Sequence, residues 1–220
     1  MTRPATALTL DPGVEAKPEV RWHFAIPVYS KLISGYGERR EAFVELLDCL
    51  HTDGPGIKKS NLNAWHSDVQ LHLMKEEPIL WLNREIGLMA RECLGARNPS
   101  IADFDIVMDS CWANIAGPGG WNAPHNHYPS QWSGVFYIQV EGSLDPSSPD
   151  DKSGKVDFLN PIPISGGFGL PSSVTYTPRD GQMLLFPALL QHMVHPNTQP
   201  TRRYSMAFNL NVTRRRADRA

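Results

Sequence analysis

Apolar residues recur along this chain with two different periods, and the change comes near residue 100. Between Glu38 and His51, Phe43, Leu46, Leu47 and Leu50 fall at helical spacing, and Asp53-Gly-Pro-Gly56 ends the run. A second, longer helix is predicted from about Glu76 to Leu94, with Ile79, Leu82, Ile86, Met89 and Cys93 as its buried stripe. Glu76 and Glu77 suit its positive end, Pro78 its first turn and Gly95 its stop. Between the two, Ser60 to His66 carries too many turn-favouring residues to belong to either helix.

Beyond residue 100 the runs become short and rich in β-branched and aromatic residues: Asp105–Ile115, Ser133–Val140, Val156–Leu159, Ser173–Thr177, Met183–Phe186 and Tyr204–Val212. Gly117-Pro-Gly-Gly120, Gly166-Gly167 and Asp180-Gly181 punctuate them, which predicts turns between antiparallel strands. Helices followed by many strands point to a mainly β protein with N-terminal helices, packed on one outer face of a double-sheet, jelly-roll type barrel. A chain of 220 residues is expected to form one domain over about residues 21–212, with a helical half to about residue 100 and a β core after it. Residues 1–20, with Pro4, Pro12 and Pro18, read as a flexible arm, and residues 213–220 as a basic tail.

Charge narrows the partners. With 21 Lys and Arg against 23 Asp and Glu, the net charge of −2 provides no field for nucleic acid or an anionic membrane, so a small molecule is the expected partner, an amino acid or a derivative among the candidates. Cys49, Cys93 and Cys111 are odd in number and lack metal-type spacing, which suits reduced thiols in the cytoplasm. No stretch approaches the roughly 18 consecutive apolar residues of a membrane span.

The candidate chemistry lies in three histidines. His125 and His127 stand one residue apart in Pro124-His-Asn-His-Tyr-Pro129, a spacing that aims both imidazoles to one side if the segment is a strand. His192 follows the apolar run Met183–Phe186, which would deliver a third ligand. Three ligands leave coordination positions open. Trp112, Trp121 and Trp132 cluster around the same turns and are candidates for the wall of a substrate space, with His66 at its mouth. His195, three residues past His192, would need helical geometry to share its metal and is expected elsewhere.

The order of these parts, with Pro124-His-Asn-His, Ser133-Gly-Val-Phe-Tyr137, Leu185-Phe-Pro187 before His192, and Arg203-Tyr-Ser205 leading to Phe208-Asn209, resembles the Fe(II)- and 2-oxoglutarate-dependent oxygenases, in particular those similar to prolyl 4-hydroxylases. The resemblance covers roughly residues 105–212 and implies a double-stranded β-helix core, Fe(II), 2-oxoglutarate and O2. It also implies hydroxylation, or another oxidation, of a substrate with release of succinate and CO2. By the same resemblance His125 and His192 match the first and last iron ligands, Arg203 matches the arginine that holds the distal carboxylate of 2-oxoglutarate, and Ser205, Tyr137 and Asn114 are further cosubstrate contacts. The departure is His127, which stands where the family places a carboxylate. Two alternatives stay open at this point: a three-histidine dioxygenase that does not use 2-oxoglutarate, and a non-catalytic metal- or ligand-binding barrel.

Overall fold

The computed structural model describes residues 25–140, 151–162 and 171–215. The expected N-terminal arm, the final residues of the basic tail, residues 141–150 of the insertion and most of the Gly166–Pro171 loop lie outside them. In chain order the elements are β1 (Tyr29–Leu32), α1 (Arg40–Asp53), β2 (Asn61–His66), α2 (Glu77–Gly95), β3 (Phe104–His125), β4 (Trp132–Gln139), β5 (Val156–Leu159), β6 (Ser173–Tyr176), β7 (Gln182–Pro187), β8 (His192–Val194) and β9 (Arg203–Arg214).

The strands pair antiparallel in the order β1-β7-β4-β9-β3-β8-β5-β6, with β2 added to β3. β3 makes the sheet curl. Its residues 104–116 pair with β9, whereas Asn122 and His125 pair with β8, so one strand serves both walls of the barrel. Gly117–Gly120, expected as a turn between strands, is instead a bulge within β3: Ala116 pairs with Ala64 and Trp121 with Leu62, so β3 spends more residues than β2 over the same stretch. The bulge needs glycine, because Gly119 has φ +76° and a Cβ at Gly120 would come within 2.9 Å of Ala116 Cβ and of Asn63 O. Buried Asn197 ties it down, through Gly119 N to Asn197 O at 2.7 Å and Asn197 N to Gly120 O at 2.9 Å. The segment Ser60–His66, excluded from both helices, forms β2.

Strand alternation divides the β core into two faces. On β9, Tyr204, Met206, Phe208 and Leu210 turn to the helices, as do Cys111, Ala113 and Ile115 of β3 and Phe136 and Ile138 of β4. Phe43 and Leu47 of α1 and Ile79, Leu82, Ile86 and Met89 of α2 cover that face. Each such side chain taken fully out of water contributes about 1.5–3 kcal/mol. Trp81 stacks edge-on to Phe43 and Phe136 at centroid distances of 6.0 and 5.9 Å. The opposite face of the same strands, Arg203, Ser205, Ala207 and Asn209 on β9 with Ser110, Trp112 and Asn114 on β3, lines a cavity.

One glycine holds β4 close to its neighbours. A Cβ on Gly134 would meet Phe208 Cζ at 2.2 Å and Leu184 O at 2.5 Å. Gly134→Ala is expected to destabilise the protein by about 1–3 kcal/mol, the usual cost of overpacking. At this chain length that lowers Tm by roughly 2–4 °C per kcal/mol. An unchanged thermal melt would show that β4 has room to shift.

Candidate metal and cosubstrate site

His125 is the last residue of β3 and pairs directly with His192, the first residue of β8. His127 lies beyond the strand end. The alternation of side chains along a strand therefore does not deliver it, as the His-x-His spacing had suggested. A turn does, held by His127 N donating to Ala188 O at 2.8 Å and Ser130 N donating to His127 O at 3.0 Å. The outcome is the same convergence: ligand nitrogens of His125, His127 and His192 all lie within 4.8 Å of one another, and no described carboxylate joins the group.

The tautomers are set by the backbone. Nδ1 of His125 lies 2.7 Å from Ala123 O and Nδ1 of His192 2.9 Å from Leu190 O. A carbonyl only accepts, so both Nδ1 atoms carry the proton and both Nε2 atoms present lone pairs. Nε2 of His127 stands 3.3 Å from Nε2 of His192. Two nitrogens bound to one metal at about 2.0–2.1 Å stand roughly 2.8–3.4 Å apart at octahedral to tetrahedral angles. The donor set fits a divalent metal.

Electrostatics keeps the imidazoles neutral. Burial, followed by repulsion from His192 and His125, holds His127 down at about 3. Burial and then His125 hold His192 at about 4, and burial lowers His125. Phe186 and Phe158 supply the apolar surroundings of His192, with ring centroids 4.9 and 5.8 Å away. Trp112 packs on His127 at 5.4 Å and stacks nearly parallel, at 6°, on His66. His66 is thus a buried member of the cavity wall, its Nδ1 2.7 Å from Ser67 O.

Deeper along β9, Arg203 is 4% exposed, and its Nε has no partner among the described residues. Its guanidinium carbon lies 5.4 Å from the centre of the Tyr137 ring, and among the described residues no carboxylate forms an ion pair with it. Burial lowers its affinity for its proton. Neighbouring Arg202 turns the other way, to Asp48 at 3.5 Å. Ser205 pairs in register with Asn114 on one side and Tyr137 on the other, so the three form a row across β3, β9 and β4 on the cavity face. Burial raises the Tyr137 phenol to about 12 against the pull of Arg203, which leaves a hydroxyl donor. Asn114 Oδ1 is buried without a partner.

Two expected wall residues are elsewhere. Trp132 packs beside Tyr29, 6.2 Å away, against the helix-side core, and half-buried Trp121 does not line the cavity; both are turned away by their position in the pleat and bulge. His195 approaches Asp157 Oδ2 at 2.9 Å, away from the three histidines. Asn209, Ser110 and Asp109, to which the motifs assign no role, line the same cavity. The signal was present in the period of two that Asn209 shares with Arg203 and Ser205, and Ser110 with Trp112 and Asn114.

The cavity holds about 550 Å³. That lies within the usual range of about 300–1,000 Å³ for a small-molecule site. Residues 110–209, the segment that builds this cavity, match the family described as "Putative 2OG-Fe(II) oxygenase". Over that segment the chain is similar to the 2OG-Fe(II) oxygenases. This family consists of enzymes that use Fe(II), 2-oxoglutarate and O2. Among solved structures, the oxygenase core resembles a Pseudomonas putida prolyl-4-hydroxylase (15% identity, 87% of this chain and 94% of that one, TM-score 0.56). It also resembles HygX from Streptomyces hygroscopicus with nickel and 2-oxoglutarate bound (13%, 84% and 83%, 0.56) and a prolyl hydroxylase from Trichoplax adhaerens in complex with a peptide fragment (12%, 84% and 83%, 0.56). At such identities the shared property is the fold, a jelly-roll core. No curated protein matches the chain in sequence. No described helix is long and apolar enough to cross a membrane.

Proposed function

We propose that the protein is an Fe(II)- and 2-oxoglutarate-dependent dioxygenase that hydroxylates a small molecule and releases succinate and CO2. His125, His127 and His192 would hold the iron through their Nε2 lone pairs. When bound, the iron supplies O2 activation coupled to oxidative decarboxylation of the cosubstrate. Arg203 clamps the distal carboxylate of 2-oxoglutarate, because a planar, permanently charged guanidinium offers two parallel donors. Ser205 and the Tyr137 hydroxyl add donors from the same face, and the Asn114 amide closes the row. Trp112 and His66 wall the site and exclude water from it. Three unpaired thiols support a reducing, cytoplasmic setting.

A single observation carries this reading: Arg203 is a buried cation facing the histidine-capped cavity, without an acidic partner among the described residues. A charge left in that state is costly, and a bound carboxylate relieves it. The same observation weighs against a three-histidine site that dispenses with 2-oxoglutarate. The test is anaerobic addition of 2-oxoglutarate to the Fe(II)-loaded protein. A visible charge-transfer band and released heat are expected, and the absence of both rules out the cosubstrate. Succinate formation that requires both Fe(II) and 2-oxoglutarate then separates an enzyme from a binding barrel.

A further inference from the structure

The cavity face of β9 continues past the cosubstrate row. Arg203 and Ser205 are followed on the same face by Ala207, whose small side chain leaves space, and then by Asn209. At about 3.4 Å per residue, Asn209 stands roughly 20 Å along the strand from Arg203. It belongs to the same cavity but is beyond the reach of a carboxylate seated on Arg203.

Hydrogen bonds around Asn209 run in one direction. Asp109 Oδ2 accepts from Ser130 Oγ at 3.1 Å and from Asn211 Nδ2 at 2.9 Å. Asp109 Oδ1 accepts from Ser110 Oγ at 3.4 Å. A carboxylate can only accept, so the Ser110 hydroxyl proton points to Asp109 and its oxygen is left to accept. That acceptor takes Asn209 Nδ2 at 3.0 Å. The amide orientation of Asn209 is thereby fixed, and its Oδ1, buried and without a partner among the described residues, remains as a lone acceptor. Buried acceptors are rarely left unmade in native proteins.

We infer that Asn209, oriented by Ser110 and Asp109, is a substrate-recognition residue, and that it takes a hydrogen-bond donor on the substrate, an amine or a hydroxyl. This assignment rests on the dioxygenase reading for the word substrate, while the donor preference is a property of the cavity alone. An anionic head group is excluded from this end, since a carbonyl oxygen beside the Asp109 carboxylate offers it nothing. An amine gains in addition from the Asp109 charge.

The test uses three probes of matched shape, benzylamine, benzyl alcohol and anisole, followed by saturation-transfer NMR on the full chain with Zn(II) in place of Fe(II) and 2-oxoglutarate bound. The two donors are expected to bind about three- to tenfold more tightly than anisole, the range one hydrogen bond supplies. Asn209→Leu, which keeps the volume and removes the acceptor, erases that preference. Asn209→Asp raises benzylamine over benzyl alcohol and serves if the leucine variant does not fold. Equal binding of the three probes, no binding at millimolar concentration, or a preference that survives Asn209→Leu overturns the assignment. The 2-oxoglutarate band of the Fe(II) protein is read separately, so failure of the dioxygenase reading is distinguishable from failure at Asn209.

Discussion

Replacing His127 with alanine is expected to abolish metal-dependent turnover and to weaken metal binding by more than about 100-fold, the upper end of what loss of an outer-shell partner costs. The expectation follows from geometry. Nε2 of His127 is 3.3 Å from Nε2 of His192, and these two with His125 form the only described cluster of such groups. Removing one imidazole leaves two neutral ligands in a pocket walled by Phe186, Phe158 and Trp112, where water is a poor substitute. His127→Asp should behave differently. It supplies an anionic ligand of the type this family uses at that position, so metal binding should stay within about tenfold of wild type even though the shorter side chain must reach further. Metal content after dialysis, together with anaerobic Co(II) titration followed by its visible bands, distinguishes the variants. Wild-type metal retention by His127→Ala would reduce the site to two histidines and assign His127 to the cavity wall.

Arg203→Ala should separate the cosubstrate from the metal. Charge-assisted hydrogen bonds contribute about 1.5–3 kcal/mol each, so losing a bidentate clamp is expected to raise the Kd for 2-oxoglutarate by roughly 100-fold or more. Metal affinity should change by less than about threefold, because Arg203 does not belong to the histidine cluster. Arg203→Lys keeps the charge but loses the planar fork, and an intermediate affinity is expected. Titrating 2-oxoglutarate into each Fe(II) variant anaerobically gives both constants. Equal losses of metal and cosubstrate would mean that Arg203 supports the fold around Tyr137 and does not act on the ligand.

Much of this site is readable from local pattern. The helical stripe of α2, from Ile79 to Met89, appears in the structure as the buried face, and every strand run proposed after residue 100 forms a strand. Strand alternation puts adjacent Arg202 and Arg203 on opposite faces, and the structure has them so. Other features were hidden because no short window contains them. β8 has only three residues, too few to establish a period. β2 was obscured by Asn61, Asn63 and the preceding Ser60, which favour turns until pairing with β3 satisfies the backbone of the strand. The Gly117–Gly120 stretch has the composition of a turn. It becomes a bulge because Asn197, far along the chain, supplies its backbone partners.

The sequence by itself determined the residue types available for chemistry: three histidines, an arginine two residues from a serine, and the alternation that assigns each strand residue to one face. These depend on side-chain identity and on spacings of a few residues. Tertiary structure decided which groups meet and which are left without partners. It brought His127 to His125 and His192 by a turn beyond the strand, and it turned Trp121 and Trp132 away from the cavity. It left Arg203 Nε and Asn209 Oδ1 without partners among the described residues. The physical reason is that partnering depends on the register between strands far apart in the chain, which local composition does not contain.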